Sequence, residues 1–123
     1  MIDVPHTWYG ETPVTQPMDV LQGTLDVLVL RTLAWGSMHG YAVSRSIRER
    51  TDGVLEIEDA PLYKALHRLE RAGFVFAEWG VSENNRRARY YTLTRTGRAQ
   101  LAEEKRNWYR MTSAMNWMLE SEG

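Results

Sequence analysis

The chain has 123 residues, 43% of them hydrophobic, with 15 Lys and Arg against 16 Asp and Glu, three His and no Cys. This length fits one domain with a substantial core, and the lack of Cys excludes disulfides, thiolate nucleophiles and iron–sulfur clusters. The start has neither a basic region nor an apolar stretch, and no apolar run is long enough to span a bilayer, so we expect a cytoplasmic protein. The net charge of −1 argues at first against a nucleic-acid partner.

The charge is unevenly distributed along the chain. Residues 1–30 carry four acids and no base, whereas residues 60–98 carry eight bases against three acids, a net charge of +5. Thirteen of the 15 bases are Arg, whose planar guanidinium suits phosphate oxygens and guanine edges. Charge alone leaves a solvated face and an anion-binding face equally open.

The first 30 residues predict an irregular arm followed by a helix. Residues 1–17 contain three of the four prolines and no apolar periodicity, which indicates an arm rather than a domain. The helix predicted from Met18 is apolar nearly all round, with Leu21, Leu25 and Leu28 on one face. A chain of this size cannot cover every side of such a helix, so we expect this face to meet a second subunit.

The middle of the chain predicts two further helices. After a compact turn over residues 35–40, Tyr41 to Thr51 has the pattern of a short amphipathic helix, and an extended acidic stretch follows. A third helix is predicted to begin at Asp59 as its N-cap, with Pro61 in its first turn, and to stop at Ala72 and Gly73. Its core stripe is Leu62, Leu66 and Leu69.

The last third predicts a β-hairpin and a long helix. Residues 74–79 and 88–94 alternate apolar and polar side chains on either side of a polar tip, and the alternation sends Tyr91 and Leu93 to one face. Thr94 is predicted to cap a helix from Arg95 to about Leu119. The seam of this helix steps by three and four residues, which is typical of helix pairs: Leu101, Glu104, Trp108, Met111, Met115 and Met118.

This order of elements predicts a winged helix-turn-helix, a mainly α (α+β) fold with a long C-terminal dimerisation helix. We assign residues 1–17 to the arm, 18–95 to the DNA-binding domain and 96–120 to the dimerisation helix. In such a fold a recognition helix enters the major groove and a basic hairpin grips the backbone or enters the minor groove. The predicted DNA contacts are Tyr63, Lys64, His67, Arg68, Asn85, Arg86, Arg87 and Arg89.

Each group of predicted contacts has an alternative interpretation. Tyr63 could pack against the hairpin. His67 could equally lie between helices with its hydrogen bonds made inside the protein, instead of contacting a base. The arginines of the hairpin tip could belong to a solvated turn, although clustered like charges repel one another unless an anion lies nearby.

Three spaced motifs resemble the PadR family of bacterial transcriptional regulators. They are His39-Gly40-Tyr41, then Leu62-Tyr63-x-Ala65-Leu66-x-Arg68-Leu69-Glu70-x-x-Gly73, and Arg87-x-Arg89-Tyr90-Tyr91-x-Leu93-Thr94-x-x-Gly97. The resemblance runs from about Val20 to Leu119, and residues 82–88 are similar to the acidobacterial subtype. The sequence departs from the usual family pattern at Ala60-Pro61, where the family has a small or hydroxyl residue, and at Lys64, where it has Pro.

The resemblance implies a homodimeric repressor of an inverted-repeat operator on double-stranded DNA. The first and last helices would form the dimer through Leu21, Leu25, Leu28, Trp108, Met111, Met115 and Met118. Some relatives bind planar aromatic drugs or phenolic acids at the dimer interface, which makes Trp108, Met111 and Trp117 candidates for an effector pocket. Ordinary packing in the dimer core is the alternative for these three residues.

An enzyme and a protein-interaction module are the alternatives to a DNA-binding regulator. An enzyme is not expected, because the three His have no metal-ligand spacing, no nucleophile–base–acid arrangement is suggested and no phosphate-binding glycine loop is present. No cofactor or metal is predicted for the same reasons. The stronger alternative is a winged-helix protein-interaction module without operator binding, since a fold does not determine a function.

Overall fold

The structure is a computed structural model that describes residues 22–122. Its elements are α1 (Gln22–Leu33), β1 (Met38–His39), α2 (Gly40–Arg50), α3 (Asp59–Arg71), β2 (Val75–Val81), β3 (Arg87–Leu93) and α4 (Arg95–Glu120). This order confirms the mainly α winged helix-turn-helix. The predicted arm and Leu21 lie outside the described residues. None of the helices in this range has the length and hydropathy that a membrane crossing requires.

The core lies among α1, α2, α3 and the sheet. The i, i+4, i+7 stripe predicted for α3 is confirmed, because Leu62, Leu66 and Leu69 are all buried. The other helices meet this stripe with Leu25, Val29, Leu30, Leu33, Val43 and Ile47. Burial of this many aliphatic side chains stabilises the fold through the removal of apolar surface from water.

The position of Leu25 corrects one prediction. This side chain is only 2% exposed and lies in the core of its own chain, so it has no surface to bury against a second subunit. Leu28 is half-buried against the same core. Thr32 is buried on this helix as well, and its hydroxyl donates to the carbonyl of Leu28 at 2.8 Å. Helices α2, α3 and α4 all contact α1. A single chain therefore covers more of this helix than its all-round apolar sequence led us to expect.

The sheet has three antiparallel strands in the order β1-β3-β2. The hairpin register pairs Val75 with Leu93 and Val81 with Arg87, so both strands extend closer to the tip than predicted and the tip is shorter. The prediction that Tyr91 and Leu93 share one face is confirmed, and the structure shows that this face points inward, since both are buried. Strand β1 lies within the segment predicted as a turn, where Met38 pairs with Tyr91. Two residues are too few to show an alternating pattern in a sequence.

The start of α3 differs from its prediction and its end agrees. Glu58 rather than Asp59 occupies the N-cap, and its side chain makes no capping hydrogen bond. Asp59 is the first helical residue, where a negative charge interacts favourably with the helix dipole. At the other end Gly73 has a φ of 79°, and the N–H of Phe74 donates to the carbonyl of Leu69 at 2.9 Å. This is a Schellman motif, which requires a residue in the left-handed region.

A cluster of hydrogen bonds joins the end of α3 to the start of α4. The hydroxyls of Thr94 and Thr96 both donate to the carbonyl of Gly73, at 2.7 and 2.8 Å. Thr94 also accepts from the N–H of Gly97 at 3.0 Å, which confirms it as the cap of α4. Its own N–H donates to the carbonyl of Phe74 at 3.0 Å and closes the base of the hairpin.

Gly97→Ala is expected to destabilise the protein by at least about 3 kcal/mol, because overpacking against rigid backbone cannot relax. A Cβ at this position would lie 2.0 Å from the carbonyl oxygen of Phe74 and 2.7 Å from a methyl of Leu93. The measurement is the free energy of unfolding by urea denaturation. Gly23→Ala is the matched control: a Cβ there meets nothing within 4 Å, so a helical Ala should stabilise by about 0.5–1 kcal/mol. Equal stability of the two variants would contradict the close packing at Gly97.

Candidate nucleic-acid interface

Helix α3 presents a polar face on the side opposite its buried stripe. Tyr63, Lys64 and His67 are all exposed on this face, and the ring of Tyr63 is 44% accessible. Gly40 at the start of α2 lies directly behind Tyr63, since a Cβ on this glycine would come within 3.0 Å of the tyrosine hydroxyl. The start of α2 therefore packs against one side of the Tyr63 side chain and positions it, while Tyr63 stays exposed.

Arg68 belongs to the same helix but turns toward α1. Its Nη2 lies 2.5 Å from Oδ1 of Asp26, and both side chains are partly buried. Its Nε is buried with no hydrogen-bond partner among the described residues. Arg68 therefore joins α3 to α1, and only part of its guanidinium faces the polar surface of α3.

The hairpin tip is a tight turn that carries two exposed arginines. The N–H of Ser82 donates to the carbonyl of Arg86 at 2.8 Å, and Asn85 has a φ of 59°, which Asn tolerates better than most residues. Asn85, Arg86 and Arg87 are all exposed. Neither Arg86 nor Arg87 has a carboxylate within 4.0 Å in the part of the chain that the structure describes.

Arg89 links the hairpin to α3. Its Nη2 lies 2.8 Å from Oε2 of Glu70, and both side chains are half-buried. An ion pair at this level of exposure contributes up to about 1 kcal/mol, and it fixes the separation of hairpin and helix. The predicted contacts thus divide into exposed residues and two arginines, Arg68 and Arg89, that already have carboxylate partners.

A cleft of about 610 Å³ separates α3 from the hairpin. Tyr63 and His67 line it from the helix, and Arg86 and Arg87 line it from the hairpin. It brings together four side chains to which sequence reasoning gave no functional role: His39, Tyr41, Trp79 and Glu83. The alternation of β2 could have indicated Trp79, because it shares the inward face of Val75 and Ala77 but lies beyond the core.

His39 connects the start of α2 with the hairpin tip. Its Nδ1 accepts a hydrogen bond from the N–H of Ala42 at 3.1 Å and caps α2. The ring proton is therefore assigned to Nε2, which lies 3.5 Å from Oε2 of Glu83. The ring of Tyr90 packs edge-on against His39, with 5.4 Å between centroids. His39 thus contacts both the helix-turn-helix and the hairpin.

Comparison with known proteins identifies the family of this chain. The sequence model of the transcriptional regulator PadR-like family matches residues 29–103, which include α3, the hairpin and the start of α4. The chain belongs to the PadR-like family of transcriptional regulators.

Solved structures of PadR-like and other transcriptional regulators are similar to this chain. A transcriptional regulator from Clostridium thermocellum is 31% identical with a TM-score of 0.72, over 80% of this chain and 96% of that chain. A PadR family regulator from Eggerthella lenta is 30% identical with a TM-score of 0.70, over 82% and 86%. A PadR family regulator from Clostridium difficile is 28% identical with a TM-score of 0.65, over 77% and 97%.

The long helix of this PadR-like regulator leaves a row of apolar side chains in solvent. Only Gly97 and Leu101 of α4 are buried in the described chain. Trp108, Met111, Met115 and Met118 follow on the same seam, and all four are exposed. Within the described chain, no residue of α4 beyond Leu101 is buried.

The three candidate effector residues of this PadR-like regulator do not share one surface. Trp117 follows Trp108 by about two and a half helical turns, so the two rings leave opposite sides of α4. An open concavity of about 730 Å³ is lined by Met111 and Trp117, but Trp108 is not part of it. Within one chain the structure does not bring Trp108 and Trp117 together.

The carboxyl group of Glu83 is expected to titrate below its ordinary pKa. A hydrogen bond from its own backbone N–H and a hydrogen bond from His39 hold the pKa of Glu83 below the usual 4.5. Because the folded-state pKa is the lower one, the contribution of Glu83 to stability is complete above about pH 4.5 and is lost as the pH falls through the folded-state value.

NMR titration of the Glu83 side-chain carbon in this PadR-like regulator would test that expectation. His39→Ala should raise the midpoint only part of the way to 4.5, because the larger backbone contribution persists. His67→Ala should leave the midpoint unchanged, since His67 is not among the groups that shift Glu83. A midpoint at or above 4.5 in the unmodified protein would contradict the hydrogen bonding at the hairpin tip.

Proposed function

We propose that this chain is a sequence-specific DNA-binding repressor that acts as a homodimer on an inverted-repeat operator. The observation that carries the proposal is the juxtaposition of the exposed face of α3 with the exposed arginines of the hairpin on either side of one cleft. A recognition helix and a basic wing side by side can contact adjacent grooves of one duplex.

The residues divide by the chemistry of what they contact. Tyr63 and Lys64 lie near the N-terminus of α3, the part of a recognition helix that reaches base edges. Arg86 and Arg87 carry charge without a described carboxylate partner, which suits phosphate oxygens or a narrow minor groove. Asn85 and His67 supply further polar groups beside them. Arg68 and Arg89 contribute mainly by fixing the helix and the hairpin relative to each other.

The homodimer explains the exposed seam of α4. A run of exposed aromatic and Met side chains is costly in water, and steps of three and four residues suit a second helix. We assign residues 18–95 to DNA binding and 96–120 to dimerisation through Trp108, Met111, Met115 and Met118. A two-fold dimer would match an operator with two-fold symmetry. A regulator that acts on the chromosome would work in the cytoplasm.

Two finer assignments rest on the family resemblance. The string from Ser82 to Ala88 supports membership of the acidobacterial subtype. Relief of repression by a small aromatic effector stays a prediction, with Met111 and Trp117 as its lining and with Trp108 on the opposite side of the helix. Saturable quenching of tryptophan emission by planar aromatic compounds would support an effector site. No change in emission across a broad panel of such compounds would contradict it.

Salt dependence of DNA binding tests the proposed function. Affinity for duplex DNA should fall linearly on a log–log plot against salt concentration, with a slope of about −0.9 per phosphate neutralised. In Arg86→Gln/Arg87→Gln the slope should be shallower by about two units. The measurement is fluorescence anisotropy on two duplexes, one from the DNA upstream of the protein's own gene and one of random sequence.

Arg106→Gln is the matched control for this titration. Arg106 lies on α4, where its guanidinium pairs with Glu103 at 2.5 Å, away from the cleft. Its removal should leave the slope unchanged. Identical slopes in the unmodified protein, the double variant and the control would show that the hairpin arginines do not contact DNA phosphates. Duplex binding that is absent, or that ignores salt, would favour a protein-interaction module.

Trp108→Asp is expected to convert the dimer to monomers, because it places a charge in the apolar seam of α4. Sedimentation velocity provides the measurement. Tyr109→Asp is the control: this neighbouring aromatic side chain is also exposed, but it leaves the helix well away from the seam, so the variant should stay dimeric. A dimeric Trp108→Asp protein would show that another surface holds the two chains together.

A further inference from the structure

Trp79 is an exposed aromatic side chain on the hairpin face that looks toward α3. It pairs in register with Arg89 and follows Val75 and Ala77 on the same face. Those two residues are covered by the body of the protein, whereas Trp79 is 59% exposed. Trp and Arg are the residue types enriched at binding interfaces, and here an exposed Trp lies at the edge of a cleft that arginines also line. The fold does not use this ring for its own core.

The guanidinium of Arg87 stacks on the ring of Trp79. The centre of the guanidinium lies 4.2 Å from the ring centroid, within the range of a cation–π interaction. The two residues sit on adjoining strands of the hairpin, and both line the cleft. The stack therefore presents an apolar surface and a positive charge side by side at the mouth of the cleft.

The remaining charges of the cleft favour an anionic occupant. Its two nearby carboxylates are already engaged, because Glu70 pairs with Arg89 and Glu83 lies against His39. Arg86 and Arg87 have no such partner in the described chain. A polymer in which apolar and anionic groups alternate fits a surface in which an aromatic ring alternates with guanidinium groups.

The way in which the proposed recognition helix and wing would lie on duplex DNA identifies that polymer. When a recognition helix lies in the major groove and a wing lies on the neighbouring minor groove, one sugar–phosphate strand separates the two grooves. That strand must pass between α3 and the hairpin, where the cleft of about 610 Å³ lies. Deoxyribose is the apolar unit of the strand and phosphate is the anionic unit.

We propose that the cleft holds one DNA strand, with the ring of Trp79 packed on a deoxyribose and the stacked Arg87 bound to the adjoining phosphate. The inference rests on the proposed function and adds a contact residue to it. Sugars are the same at every base pair, so Trp79 contributes to affinity for any duplex and not to the choice of sequence.

The test compares four variants by anisotropy on random-sequence duplex DNA over a range of salt concentrations. Trp79→Ala should weaken binding about tenfold, as expected for the loss of a buried aromatic contact, and should leave the salt slope unchanged. Arg87→Gln should make the slope shallower by about 0.9. In the Trp79→Ala/Arg87→Gln protein the loss of the ring should still weaken binding severalfold relative to Arg87→Gln alone.

Phe76→Ala is the matched control. Phe76 lies on the same strand, is 47% exposed and points to the opposite face of the hairpin, so its removal should leave affinity unchanged. Thermal unfolding of each variant establishes that the hairpin remains folded. Hydroxyl-radical cleavage, which attacks deoxyribose, provides a second measurement: the unmodified protein should protect a sugar that Trp79→Ala exposes.

The outcomes separate this inference from the proposed function. Salt-dependent duplex binding by the unmodified protein, with Trp79→Ala no weaker than Phe76→Ala, overturns the strand contact and leaves the proposed function intact. A Trp79→Ala effect that disappears in the Arg87→Gln background shows that the ring only positions Arg87, and it overturns the sugar contact. Lack of duplex binding by the unmodified protein overturns the proposed function and the strand contact together.

Discussion

The junction between α3, the hairpin and α4 fixes the position of every functional element. The carbonyls of Gly73 and Phe74 accept hydrogen bonds from Thr94 and Thr96, while Gly97 lies so close to Phe74 that no side chain fits. A turn in the left-handed region at Gly73 directs the chain into the hairpin at this point. Helix α3 ends, the hairpin begins and ends, and α4 begins at this one junction, and the hydrogen bonds there couple the directions of the three elements.

The basic residues of this PadR-like regulator perform two different tasks. Arg68 and Arg89 form ion pairs with Asp26 and Glu70, and each pair joins two elements of the DNA-binding body. Arg86 and Arg87 stay exposed at the hairpin tip. The positive charge that a duplex would meet is therefore smaller than the composition of residues 60–98 suggests. The shape and two-fold symmetry of a dimer would then contribute a larger share of the preference for one DNA site over others.

The apolar residues expected at a dimer interface differ in exposure between α1 and α4. Helix α1 was expected to meet a second subunit because it is apolar nearly all round, yet Leu25 and its neighbours are buried in their own chain. On α4, whose seam was also expected to meet a second subunit, Trp108, Met111, Met115 and Met118 are exposed beyond Leu101. Four elements of the same chain, α2, α3, α4 and β3, contact α1 and cover its apolar side chains.

The sequence by itself determined the elements, because side-chain periodicity is a local property. The stripe of Leu62, Leu66 and Leu69 predicted α3, and the alternation predicted the hairpin with Tyr91 and Leu93 on one of its faces. Only the tertiary structure decided which candidate contacts remain exposed. Arg68 meets Asp26 across 42 residues and Arg89 meets Glu70 across 19, and no local pattern encodes such pairs. The pairing of β1 with β3 and the exposure of Trp79 depend in the same way on how separate elements pack.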